Sequence, residues 1–145
     1  LLDRIVVNQP VYNMFNRHIE NEVIPVSEQL GIGQVVYSPL AQGVLAGKYR
    51  KGQNIPEDSR AAKQNWKEDR IKERELDIVE QLEKVAKEQG ITLAQLALAW
   101  ILRQPNVSSA LIGASRPEQV EENCKASGIK LDREVLERIE AIFNN

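Results

Sequence analysis

Three short apolar runs alternate with longer stretches of helical periodicity along this chain. The apolar runs lie at residues 5–7, 35–36 and 110–112. The helical stretches, in which apolar residues recur at three- and four-residue spacing, lie at residues 21–31, 76–90, 93–104 and 131–145. Short apolar runs without an alternating polar face are typical of parallel strands that are covered on both sides. The pattern therefore predicts an α/β fold in which strands and helices alternate.

Several helix ends are marked by specific residues. Pro25 is tolerated only in the first turn of the first helix, and Gly31 is a typical stop signal. Thr92 and Gln95 have the spacing of a capping box, which predicts the start of a helix that is apolar on almost every side. Such a helix must be buried, so Trp100 on it is expected in the core.

The segment that follows the second strand carries the first group of candidate site residues. Pro39 cannot donate to a strand ladder, so Tyr37 and Ser38 are expected at the strand end, with a loop after them. Gly43 allows that loop to take positive φ or to approach a ligand, and Lys48 adds a cation. An aromatic ring, a hydroxyl, free amides and a cation suit a flat, anionic ligand. The same residues fit a simple β-turn, and the pattern alone leaves both interpretations open.

A second candidate site follows the third strand, at Gly113. Ser115 and Glu118 have capping-box spacing, which predicts a helix that starts at about Arg116 and presents free N–H groups. Those amides, the positive end of the helix dipole and the guanidinium would form an anion site. Gln119, Glu122 and Asn123 would share one face of the helix. The alternative interpretation is a capped surface helix without a ligand.

Composition narrows the class of protein. The 145 residues carry 19 basic and 21 acidic side chains, well mixed, with a net charge of -2, which gives no support for a nucleic-acid partner. No run reaches the ~20 apolar residues of a membrane helix. The lone Cys124 fits a reducing compartment, so a cytoplasmic location is expected. The sequence starts at Leu1 and its only methionine is Met14, which favours a piece of a longer protein, treated as one domain over residues 1–145.

Three segments resemble the aldo-keto reductases, which are NADPH-dependent (β/α)8 barrels, in the branch of bacterial reductases and potassium-channel β subunits. Residues 37–49 read YSPLAQGVLAGKY and look like the seventh strand of that family and its loop. Residues 7–13 read VNQPVYN and resemble the sixth strand, and residues 108–123 read SSALIGASRPEQVEEN and resemble the eighth strand with its helix. The resemblance implies the C-terminal portion of a TIM barrel, with three parallel strands and covering helices.

The resemblance also implies a set of residues that contact the cofactor. Gln9 would bind the nicotinamide carboxamide, Tyr37 would stack on the nicotinamide ring, and Arg60 would lie near the pyrophosphate. Ser115 and Gln119 would contact the 2′-phosphoribose, although many members have an arginine in place of Gln119. The remaining implied contacts come from the strand-end loop, the third strand end and the adenine-binding helix face: Ser38, Pro39, Leu40, Ala41, Gln42, Lys48, Gly113, Glu122 and Asn123.

The function implied is reduction of an aldehyde or ketone by hydride transfer from NADPH. The catalytic residues of the family belong to earlier strands, so the chain alone is expected to be inactive, and the solvated His18 is not expected to be one of them. Two alternatives remain, namely a non-catalytic nicotinamide-nucleotide-binding regulatory module and a purely structural barrel fragment. Three strands taken alone leave open edges, which predicts self-association or pairing with the missing half.

Overall fold

The computed structural model describes residues 4–57, 59–64, 66 and 71–144. Its sheet consists of β1 (Val7–Asn8), β2 (Gly33–Tyr37) and β3 (Val107–Leu111), in the order β1-β2-β3. Both strand pairs are parallel. This confirms the predicted α/β architecture and places the three strand ends on the same side of the sheet.

The helices lie between and after the strands along the chain. They are α1 (Val23–Leu30), α2 (Arg60–Lys63), α3 (Glu73–Glu88), α4 (Leu93–Leu102), α5 (Pro117–Cys124) and α6 (Arg133–Asn144). Short 3-10 helices span His18–Glu20, Ala41–Ala46 and Lys125–Gly128.

The predicted helix ends at α1 and α4 are confirmed. Pro25 lies in the first turn of α1, and Gly31 ends the helix with a left-handed φ of 66°. At α4, the Thr92 Oγ1 accepts the Gln95 N–H at 3.2 Å, and the Gln95 Oε1 accepts the Thr92 N–H at 3.0 Å. This capping box fixes the position where α4 begins.

The core lies between the sheet and the helices α3, α4 and α6. Helix α4 is the most deeply buried, as its all-round apolar sequence predicted, and Trp100 is fully buried. On β2, Gln34 and Val36 face the helices and are 0% exposed. Residues on the other face of the sheet are open, since Tyr37 and Leu111 are 45% and 44% exposed.

Two strand boundaries differ from the sequence prediction. The first strand is Val7–Asn8 instead of residues 5–7, because only these two residues pair with the start of β2 at Gly33. The third strand is Val107–Leu111 instead of residues 110–112, because β2 offers partners from Gln34 to Tyr37. Apolar runs indicate where a strand lies, but the neighbouring strand sets its length.

Candidate functional site

A cleft of about 850 Å³ opens at the carboxyl ends of β2 and β3. Its floor is formed by the segments that leave these two strands, which adjoin because Tyr37 and Leu111 are register partners. Helices α2 and α5 both contribute side chains to its lining. The volume is in the range of pockets that hold small molecules and cofactors.

The backbone of the strand-end loop is strained. Ser38, Ala41 and Gln42 have φ values of 53°, 46° and 58°, a region that residues other than glycine rarely occupy. Local contacts hold this conformation: the Ser38 carbonyl accepts the Asn13 Nδ2–H at 3.0 Å and the Ala41 N–H at 3.1 Å. Strain of this kind is concentrated at functional sites, where surrounding structure maintains it.

The side chain of Tyr49 joins the strand-end loop to α2. Tyr49 is 4% exposed, and its hydroxyl donates to the Gln42 carbonyl at 3.5 Å and accepts the Ala61 N–H at 3.4 Å. Its ring packs against Gly43, where an added Cβ would lie 3.5 Å from Cε2. Because α2 begins at Arg60, this contact holds the start of that helix, and with it the backbone of Arg60, at the edge of the cleft.

The α5 side of the cleft differs in detail from the prediction. The prediction of a capping box formed by Ser115 and Glu118 is wrong. Helix α5 begins at Pro117, its N-cap is Arg116, and no side chain caps it. The Gln119 Oε1 instead accepts the N–H of Ser115 at 2.9 Å and its hydroxyl at 3.2 Å. Proline at the first helical position explains the shift, since its fixed φ is suited to that position and it has no N–H to satisfy.

The part of the cleft lined by Glu122 and Asn123, near the end of α5, is called its far end here, and it rests on a buried amide. Gln95 is 5% exposed, and its Nε2 donates to the Glu122 carbonyl at 2.9 Å and to the Glu122 Oε1 at 3.0 Å. The carboxylate remains 44% exposed and also lies 3.6 Å from the Lys125 Nζ. Glu122 is thus held by α4 while it lines the cleft.

The cleft is cationic. Lys48, Arg60, Lys63 and Arg116 line it, and none of the four forms an ion pair within the part of the chain that the structure describes. The two acidic residues in the lining are Glu118 and Glu122, and the latter is paired with Lys125. Four cations around a cleft with so little compensating charge favour an anionic ligand.

Most residues that the resemblance implied lie in this cleft. Those in the lining are Ser38, Pro39, Leu40, Gln42, Lys48, Arg60, Gly113, Ser115, Gln119, Glu122 and Asn123. The implied residues outside the lining are Gln9, Tyr37 and Ala41. Gln9 is exposed just after β1, and Tyr37 lies beside that segment because its N–H donates to the Pro10 carbonyl at 3.0 Å. Ala41 is half-buried at the start of its 3-10 helix.

Other lining residues were missed from the sequence. They are Ala46, Lys63, Gln64, Thr92, Ala94, Leu111, Ile112, Ala114 and Glu118, whereas Gly43 and Arg116, which the sequence indicated as ligand-approach and anion-binding positions, are also in the lining. Lys63 could have been found, because it lies three residues after Arg60 and so on the same helix face. The sequence predicts Thr92 only as a helix cap, and nothing in the local sequence indicates that it borders a cleft.

A separate polar cluster lies around Trp100, and it consists of Tyr12, Arg17, Glu20 and Arg103. Arg103 donates to the Tyr12 hydroxyl at 3.1 Å and to the Glu20 Oε1 at 3.2 Å, and its guanidinium stacks 3.7 Å from the Trp100 ring centroid. Burial and the hydrogen bond to Glu20 raise the pKa of Tyr12 to about 12. Burial would raise the pKa of Glu20, but hydrogen bonds from Tyr12 and Arg17 outweigh it and hold that pKa below 4.5.

The described residues contain no group of three or more His, Cys, Asp and Glu side chains that could hold a metal ion. Within the same ranges, no helix combines the length and apolar character needed to cross a membrane. His18 is exposed, as expected, and its Nδ1 lies 2.5 Å from the Asn16 Oδ1.

Comparison with known proteins gives consistent matches over the chain. The model of the Aldo/keto reductase family matches residues 2–144. A probable voltage-gated potassium channel subunit beta from Oryza sativa subsp. japonica is 46% identical over 146 residues, which cover 97% of this chain and 44% of the rice protein. L-glyceraldehyde 3-phosphate reductase from Escherichia coli (strain K12) is 38% identical over 128 residues, or 84% of this chain and 36% of that enzyme.

A solved structure gives the same picture of the fold. The glycerol dehydrogenase AKR11B4 from Gluconobacter oxydans superimposes with a TM-score of 0.79 at 28% identity, over 94% of this chain and 42% of the dehydrogenase. The three parallel strands and their helices thus correspond to part of an α/β barrel. The chain spans less than half the length of each of these three relatives.

Proposed function

This chain belongs to the aldo/keto reductase family, and we propose that its cleft holds NADPH for the reduction of an aldehyde or ketone in the whole protein. The observation that supports this most is the meeting of the strand-end loop, α2 and the start of α5 around one cationic cleft at the strand ends. A dinucleotide with several phosphates needs such a combination of cations, backbone amides and apolar floor. NADPH would supply the hydride when bound.

Each part of the cleft has a role in this proposal. Arg60 and Lys48 bind the phosphates from one side, and the first turn of α5 with Arg116 binds them from the other. Glu122 and Asn123 hold the adenine end. Gln9 and Tyr37 lie apart from the cleft, beside each other at the ends of β1 and β2, where they hold the nicotinamide at the open face of the sheet.

Among the described residues, we assign none as the proton donor for carbonyl reduction. The cleft lining contains no Tyr or His side chain among its described members, Tyr12 is engaged in the polar cluster, and Tyr37 serves in this proposal as the surface on which the nicotinamide stacks. Burial and the hydrogen bond to Glu20 raise the pKa of the Tyr12 phenol to about 12, so it gives up its proton less readily than an ordinary tyrosine. We therefore expect no turnover from this chain alone, and the whole protein is needed for reduction.

The test is direct titration of NADPH into the protein, followed by the fluorescence of the reduced nicotinamide. Lys48→Met should weaken binding about tenfold, because it removes one charge-assisted phosphate contact. Lys87→Met, which changes an exposed lysine at the end of α3, is the matched control and should bind as the wild type does. Equal affinities for the two variants, or no saturable binding by the wild type, would contradict the proposal.

The preference for NADPH over NADH depends on Gln119. Its Oε1 occupies the Ser115 N–H and hydroxyl, the two donors that a 2′-phosphate would need. A 2′-phosphate must displace this contact, so Gln119→Ala should raise the affinity for NADPH relative to NADH. The same titration with both nucleotides in parallel measures that ratio.

A second candidate function is nicotinamide-nucleotide binding without turnover, as part of a regulatory subunit. The observation that favours it is the 46% identity to a probable potassium channel subunit, against 38% for the reductase. Turnover of aldehydes by the whole protein, at a rate that exceeds cofactor exchange, would favour the enzyme over the regulatory module.

We also propose that the chain alone associates through its open sheet edge. Ile5 and Val6 are 70% and 69% exposed beside β1, whose outer edge has no partner strand among the described residues. Exposed apolar strands with free backbone groups pair with other chains. Light scattering over a concentration series should show growing mass, and Val6→Lys should reduce it.

A further inference from the structure

We infer that Gln95 is a positioning residue for ligand recognition, which orients the Glu122 carboxylate at the far end of the cleft toward an amino group of the bound nucleotide. The inference rests on the proposed function, in which the adenine lies at that end. Gln95 itself does not line the cleft.

The contacts of Gln95 leave it no alternative arrangement. Its Oε1 accepts the Thr92 N–H, and its Nε2 donates both to the carbonyl and to the Oε1 of Glu122. The amide therefore uses its oxygen and both of its N–H groups. A backbone N–H must point at an oxygen, so the contact with Thr92 settles which end of the amide faces Glu122.

The hydrogen bonds between Gln95 and Glu122 join two helices. The two residues are 27 positions apart in the chain, with Gln95 in the first turn of α4 and Glu122 near the end of α5. Because Gln95 also belongs to the capping box, its side chain is fixed to the start of a buried helix. The carboxylate thus takes its orientation from the core of the protein rather than from the exposed helix that carries it.

An oriented carboxylate can discriminate between ligands that a freely rotating one cannot. With Oε1 engaged by Gln95, the group keeps lone pairs that can accept hydrogen bonds from a ligand in the cleft. An exocyclic amino group, as on adenine, donates to such an acceptor. A carbonyl at the same position, as on hypoxanthine, presents an acceptor and would be repelled.

The experiment compares the affinity of the protein for NADP+ with its affinity for the hypoxanthine analogue of NADP+. The wild type should bind the adenine form about tenfold more tightly, which is the effect expected for a hydrogen bond to a charged group. Gln95→Glu retains an oxygen for the capping box but removes both N–H donors, so it should bring this ratio close to one. Gln95→Leu tests the same donors without adding a charge, and should give the same result.

Asp132→Ala is the control for lost helix capping, because the Asp132 Oδ1 accepts the Val135 N–H at the start of α6, away from the cleft. It should leave the ratio at the wild-type value. A wild-type ratio retained by either Gln95 variant would overturn the inference while leaving the proposed function intact. If the wild type binds neither dinucleotide, both the proposed function and the inference are overturned.

Discussion

Two regions of this protein use the same kinds of side chain for opposite purposes. In the polar cluster around Trp100, each charged group has a partner: Arg103 contacts Tyr12 and Glu20, and Arg17 pairs with Glu20 and Glu140. In the cleft, Lys48, Arg60, Lys63 and Arg116 form no ion pair with any residue that the structure describes. Partners within the chain indicate a structural role, and their absence around an open volume indicates binding.

The difference is also one of backbone. The polar cluster is built on a 3-10 helix and the end of α4. The cleft loop instead contains three non-glycine residues with positive φ, namely Ser38, Ala41 and Gln42. Strained backbone costs on the order of 1–3 kcal/mol per residue. A loop that carries this strain beside unpaired cations is better explained by a ligand than by stability.

The largest expected effect comes from Arg103→Met, which breaks the polar cluster. The variant removes the cation that Tyr12 and Glu20 share, and leaves the carboxylate partly buried. A loss of about 2 kcal/mol in unfolding free energy is expected, less than the ~3–5 kcal/mol of a fully buried pair. The reason is that the Arg103 side chain is still 22% exposed. Denaturant unfolding measures the difference.

The matched control for that variant is Arg133→Met. Arg133 also pairs with a glutamate, at 2.6 Å, but its side chain is 92% exposed. Exposed pairs contribute little, so the loss should stay below about 0.5 kcal/mol. Equal losses for the two variants would show that the cluster around Trp100 is no more structural than a surface pair.

The second effect is on binding, and it comes from Arg60→Met in the cleft. The unfolding free energy should change by less than about 0.5 kcal/mol, because this guanidinium has no partner among the described residues to lose. Affinity for NADPH should fall about tenfold, which corresponds to ~1.4 kcal/mol. A variant that loses stability but keeps its affinity would reverse the assignment of the two regions.

Much of the fold was readable in advance because its signals are local. Pro25 and Gly31 bound α1, and Thr92 with Gln95 marks the start of α4. The parallel sheet followed from apolar runs without polar alternation, and the family resemblance, confirmed over residues 2–144, supplied the barrel. Such signals need only the residues themselves and their near neighbours.

The polar cluster around Trp100 and the contact between Gln95 and Glu122 could not be predicted from the sequence, because they join distant parts of the chain. Arg103 lies 91 residues from Tyr12 and 83 from Glu20. At the start of α5, Ser115 and Glu118 had the spacing of a capping box, but Pro117 shifted the helix start and Gln119 took the contact with Ser115. A spacing rule cannot decide between two acceptors that compete for one donor.

A third prediction concerns pH and sharpens the structural side of the comparison. The pKa of Tyr12 is raised in the folded state to about 12 from an ordinary 10.0, so the unfolded chain ionises first as pH rises. The stability contributed by this phenol is complete below pH 10 and is lost as pH rises toward 12. Tyr12→Phe should remove this part of the alkaline loss, as measured by unfolding at a series of pH values. An unchanged alkaline slope would contradict the structural assignment of Tyr12.

The smallest expected effect comes from Tyr49→Phe, which tests whether the cleft depends on the contact between its loop and α2. The hydroxyl bonds to Gln42 and Ala61 are long, at 3.5 and 3.4 Å, so each contributes at the low end of about 0.5–1.5 kcal/mol. The ring and its packing against Gly43 are retained, and the fold should be preserved. Without the hydroxyl, α2 is held less firmly and Arg60 is placed less well, so NADPH affinity should fall about twofold to threefold.

The double variant with Arg60→Met should then bind NADPH no more weakly than Arg60→Met alone, because the hydroxyl acts through that guanidinium. Additive losses in the double variant would show instead that Tyr49 supports the cleft by a route that does not involve Arg60.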